Sequence, residues 1–113
     1  MTKTVSYDKE NDILFIHRGF SPDEKFKGNI DADVLILDVS TKGRIRGIEI
    51  INASKFFKEF DIDKDILENL VDAKFNAVIK PNAIIVSIIF TAKDIERELS
   101  AKIAVPLAAP VAV

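Results

Sequence analysis

The sequence predicts a small α+β domain, mainly antiparallel sheet with one or two short helices. Three observations carry that prediction. Tight polar turns feed runs of β-branched and aromatic residues at 7–16 and 43–54, an apolar stripe of helical spacing stands at 62–71, and strand-like alternation returns after residue 74. A chain of 113 residues reads as one domain spanning 1–113, large enough to bury roughly two thirds of its unfolded surface.

Thr4 to Tyr7 alternates and reads as a first strand, Ile13 to His17 as a second, with Lys9-Glu10-Asn11 as the loop between them. Asp8 and Asp12 flank that loop, where short carboxylates accept hydrogen bonds from turn N–H groups. From Gly19 to Asp33 the chain reads as irregular, apart from a brief edge pairing at Lys25-Phe26-Lys27. Val34 to Val39 and Arg44 to Ile51 form a second hairpin around Ser40-Thr41-Lys42-Gly43, whose glycine can take positive φ.

Asn52 is placed to cap a short helix carrying Phe56, Phe57 and Phe60 on one side, and Asp63 to cap a second helix running to about Val71. Lys74 to Lys80 alternates and turns at Pro81-Asn82 into Ile84 to Phe90, apolar on both faces, while 94–105 reads as a strand by alternation. The helical segment 53–71 thus divides a four- or five-stranded unit from a C-terminal pair or trio. The last ten residues carry no charge and two prolines. That tail and the two-faced strand point to self-association, a dimer foremost, through Ile84, Val86, Ile88, Phe90, Leu107 and Val111.

Composition narrows the chemistry. Without cysteine there is no disulfide, thiolate zinc site or cysteine nucleophile, and without a leader-like or membrane-spanning run the simplest compartment is the cytoplasm, with no membrane partner. Many isoleucines, one methionine and no glutamine fit a thermophilic source, against which stand six asparagines. A formal charge of −2 gathers no phosphate backbone, so nucleic acid is an unlikely partner unless Arg44 and Arg46, with Lys42, form a local basic strip.

His17, the only histidine, is the natural acid–base candidate but has no partner identifiable in sequence. Glu49 interrupts three isoleucines and calls for a partner such as Tyr7, Arg44 or Arg46. A small-ligand or enzyme site would therefore draw on Tyr7, Asp12, His17 and Glu49. Asp61 to Asp72 has the length of a calcium loop but Ile66 where the sharp turn requires glycine, and Asp31 with Asp33 reads as loop solvation. No catalytic, metal or cofactor set is visible, and the balance favours a non-catalytic protein-interaction module.

Tyr7, Asp8, Asp12, Leu14, Ile16, Asp38, Gly43, Gly47, Ile48, Glu49, Ile50, Ala53 and Ser54 together resemble the pattern of domain of unknown function 2283, over about residues 4–56. Residues 57–113, a helix with C-terminal strands and the apolar tail, lie outside the resemblance. The family implies no activity. Similar bacterial genes viewed as candidate antitoxins imply a protein partner.

Overall fold

The computed structural model describes residues 4–106. Strands β1 (Val5–Asp8), β2 (Ile13–His17), β3 (Phe26–Ala32), β4 (Leu35–Ser40) and β5 (Ile45–Ile51) form one antiparallel sheet in the order β1-β2-β5-β4-β3. Strands β6 (Leu70–Lys80), β7 (Ala83–Ala92) and β8 (Leu99–Pro106) form a second, in sequence order. Between the sheets run helix α1 (Ala53–Phe56), a 3-10 turn (Phe57–Phe60) and helix α2 (Lys64–Glu68). The expected division at the helical segment is present, with five strands before it and three after, as are both N-terminal hairpins.

Strict alternation decides which side of each sheet is buried. In the larger sheet Val5, Ile16, Ile48, Leu37 and Ile30 align across all five strands, and Tyr7, Leu14, Ile50, Leu35 and Ala32 form the next inward row. The smaller sheet contributes rows such as Phe75, Ile88 and Ala101. Both inward faces join one apolar cluster. Phe57, fully buried, closes it by meeting Phe90 edge-on at 5.3 Å between ring centroids.

Four expectations need correction. Ile84, Val86, Ile88 and Phe90 are at most 1% exposed and point into the chain's own core, so they offer nothing to a second copy. Their strand was read as two-faced because Ile85 and Ile89 interleave with them, and only these latter face outward. Leu107 and Val111 lie outside the described residues. Helix α2 stops at Glu68 rather than near Val71 because Leu70 already pairs with Ala92, and the ladder captures the chain before the apolar stripe ends.

The supposedly irregular segment contains β3, seven residues long, whose Gly28, Ile30 and Ala32 alternate inward against Asn29 and Asp31. Its alternation escapes notice because a bulge at Lys27 shifts the register. Finally, Asn52 does not cap α1 with its side chain and sits at φ 56°, in the left-handed region. Asp63 does cap α2, accepting the Ile66 N–H at 3.0 Å.

Candidate functional site

The first polar network is architectural. Asp12, itself left-handed at φ 55°, swings its carboxylate across to the start of α1, where it accepts the Ser54 N–H at 3.0 Å and the Ser54 hydroxyl at 2.7 Å. It therefore fills from a distance the capping role that Asn52 leaves open. Tyr7 donates its hydroxyl to the same carboxylate at 2.5 Å. Burial would raise the Asp12 carboxyl, yet the bonds from Tyr7 and Ser54 outweigh it and hold the group below its usual range. Burial and the bond to Asp12 push the Tyr7 phenol above its ordinary value.

A second network centres on Glu24, one of two buried polar residues among those described. One carboxylate oxygen accepts from the Ser21 N–H at 3.0 Å and the Ser21 hydroxyl at 2.9 Å, the other from the Ser40 hydroxyl at 2.7 Å and Arg44 Nε at 3.2 Å. Arg44 Nη2 lies 3.0 Å from that second oxygen, and Arg46 Nε lies 3.2 Å from the first while donating to the Gly19 carbonyl at 2.8 Å. The Ser21 backbone and Ser40 hydroxyl lead in pulling the Glu24 carboxyl down to about 2, against its burial. Both arginines of the anticipated basic strip are thus bound to one acid.

Arg46 reaches Glu24 because of a bulge. The register between β4 and β5 jumps from Asp38 opposite Gly47 to Val39 opposite Ile45, leaving Arg46 unpaired and re-aimed. Beside it Arg18 lays its guanidinium 4.1 Å from the centroid of the Phe75 ring. Burial first and the nearby Arg46 second lower its pKa. Arg18, Arg44 and Arg46 line a cleft of about 310 Å3 floored by Ala77 and Ile79 of β6. A neighbouring cleft of about 490 Å3, lined by Ile16, His17, Ala73 and Phe75, adjoins it at Arg18.

The remaining candidates stand elsewhere. His17 accepts the Gly19 N–H on Nδ1 at 2.7 Å, leaving Nε2 to carry the proton, 3.9 Å from Asp38. The ring and carboxylate cross directly over Gly47, where a Cβ would come within 2.6 Å of each. Glu49 lies on the outward face of the larger sheet between Phe15 and Ile36, with no ion pair or side-chain hydrogen bond to a described residue. Tyr7 and Asp12 tie the hairpin to α1, Arg44 and Arg46 gather at Glu24, and Glu49 joins neither group. Sequence reasoning missed Glu24 and Arg18. Ser21-Pro22-Asp23-Glu24 has the spacing of a capping box, which was the available signal for the first.

Two sheet faces point away from the shared core. On the larger sheet, outward strand positions carry Asp31, Asp38 and Glu49 with Ile13, Phe15, Ile36 and Ile51 around them. On the smaller, they carry Lys74, Lys80 and Lys102 with Val78, Ile85, Ile89 and Ala104. Phe15, Val78 and Ile89 are 40%, 39% and 42% exposed. Among the described residues no helix is long and apolar enough to cross a membrane, and no three potential ligands of the His, Cys, Asp and Glu types cluster as a metal site.

The stretch from the first hairpin to the Ala53-Ser54 helix start is the part of the chain that a family comparison matches. Residues 4–54 match DUF2283, a family of proteins of unknown function. The matched segment spans the larger sheet and ends where Asp12 caps α1. The chain is 40% identical over 79 residues to an uncharacterized protein of Methanocaldococcus jannaschii, covering 69% of this chain and 61% of that one. It is 36% identical over 64 residues to a Methanosarcina mazei protein named "Putative hypoxanthine phosphoribosyltransferase", covering 57% of this chain and 47% of that one. The aligned regions thus span about half to three fifths of these relatives. No solved structure matches.

Proposed function

We propose that the protein is a non-catalytic interaction module that associates with itself, the outward face of its larger sheet meeting the outward face of the smaller sheet of another copy. The observation that carries this reading is complementarity. One face sets three carboxylates around an isoleucine–phenylalanine patch, and the other sets three ammoniums around a valine–isoleucine patch. Such a heterologous contact closes into a ring or runs on as a fibre, according to the rotation between copies. Edge pairing is less favoured, because β8 presents Lys102 and ends at Pro106.

The non-catalytic reading is supported by dispersal. His17 lies beside Asp38, Tyr7 donates to Asp12, and Glu49 stands apart from both, so among the described residues these candidates do not converge on one site. A cytoplasmic setting goes with this reading. Its test is a charge swap read by analytical ultracentrifugation at low salt. Glu49→Lys with Asp31→Lys, and separately Lys80→Glu with Lys102→Glu, should each weaken association at least about tenfold, and mixing the two variants should restore it. A monomeric wild-type chain at about 100 µM overturns the proposal, as does association that ignores both swaps.

A further inference from the structure

We propose that the cleft formed by Arg18, Arg44 and Arg46 binds the phosphate group of a small phosphate monoester. Glu24 offers one negative charge, engaged by Ser21, Ser40, Arg44 and Arg46, so two guanidiniums share a single carboxylate and Arg18 adds a third with no acid partner among the described residues. Two positive charges are left over around the cleft, where the Arg46 side chain is 17% exposed and Arg18 and Arg44 are open to water. Like charges gathered on one cleft repel one another, and an anion seated among them relieves that repulsion.

The donors are also free and fixed. Arg18 makes no side-chain hydrogen bond to a described residue, and the Nη groups of Arg46 make none either. Arg18 and Arg46 both line the cleft, so these unbonded nitrogens are available to a ligand there. Phe75 holds Arg18 in place, Glu24 holds the Nε ends of the other two, and the bulge at Arg46 directs it here. Planar forks pre-set in this way match the oxygens of phosphate better than mobile lysines do.

Size and surroundings favour a small ligand over a nucleic-acid strand. The arginine cleft holds about 310 Å3, and the adjoining one gives Ile16, Ala73 and Phe75 for the apolar body of the same molecule. The chain's −2 charge and the acidic outward face of the larger sheet oppose a long polyanion.

Calorimetric titration of the full chain with inorganic phosphate, adenosine monophosphate, adenosine and a single-stranded oligonucleotide tests this. We expect saturable binding of the monophosphate, none of adenosine, and a loss of at least about tenfold in Arg18→Gln. Arg18→Lys should recover only part of it, because the charge returns without the fork. Arg44→Gln, at a half-exposed side chain, provides a second variant should Arg18→Gln fold poorly. Absence of phosphate and monophosphate binding at millimolar concentration overturns the assignment, as does binding that survives both glutamine variants. An oligonucleotide that binds far more tightly than the monophosphate, with steep salt dependence, overturns the small-ligand commitment.

Discussion

Replacing Asp12 with alanine removes three hydrogen bonds at once, and the structure lets each loss be valued separately. The Ser54 N–H and hydroxyl at the start of α1 lose their acceptor, which for an N-cap costs about 0.5–2 kcal/mol. The half-buried Tyr7 hydroxyl loses its acceptor too, at a further cost of about 1–3 kcal/mol where water cannot fully replace it. Alanine tolerates φ 55° less well than aspartate, adding up to about 1 kcal/mol. The expected destabilisation is about 1.5–6 kcal/mol, a shift of roughly 8–30 °C in Tm for a domain of this size. Urea titrations followed by circular dichroism measure it. The decisive experiment adds Tyr7→Phe and the double variant. Because the two side chains are bonded to one another, the cycle should close with a coupling of about 1–3 kcal/mol. A loss below about 0.5 kcal/mol in Asp12→Ala, or strict additivity in the cycle, would refute the claim that this carboxylate joins the first hairpin to α1.

Other expectations follow from the same geometry. Glu24 and Asp12 both have carboxyl groups held lower in the folded than in the unfolded chain, so their stabilisation is complete above the unfolded values and is lost as pH falls through the folded ones. The acid limb attributable to Glu24 should therefore run from about pH 4.5 down to about 2, and chemical denaturation across that range should show it flattened in Glu24→Gln. Asn52→Gly should leave stability within about 0.5 kcal/mol or raise it slightly, because the asparagine side chain caps nothing and glycine adopts φ 56° without strain. Gly47→Ala should displace His17 and Asp38 side chains at a cost of about 1–3 kcal/mol, measured by urea denaturation and visible as changed His17 ring chemical shifts by NMR.

What the sequence made legible is what period and turn chemistry encode. Inward rows such as Val5, Ile16, Ile48, Leu37 and Ile30 come directly from alternation, and Gly43 takes φ 74° at the turn where positive φ was required. Long-range substitution is what escapes that reading. Asn52 has every local mark of a cap and does not act as one, because Asp12, 42 residues from Ser54, arrives first with a carboxylate whose own turn conformation aims it there. Periodicity also cannot say which face of a doubly apolar strand is inside. The C-terminal partner rows settle it, with Ala101 and Ile103 taking the even-numbered residues of β7 inward.

Glu24 shows why the polar centre was harder to find than the core. A buried carboxylate is defined by its donors, and these come from Ser21, Ser40, Arg44 and Arg46, scattered over two loops and the ends of two strands. Each of those residues is ordinary alone. Arg44 and Arg46 looked like a solvated or phosphate-binding strip because alternation alone put them on one face, whereas a single-residue bulge and a neighbouring acid determine what they do. The same bulge brings Arg46 beside Arg18, a residue with no motif at all, and so converts two paired arginines into a cluster with excess positive charge. The carboxylate that neutralises part of that cluster also holds it rigid. Removing Glu24 should consequently weaken anion capture despite raising the net positive charge, the opposite of what a purely electrostatic surface would do.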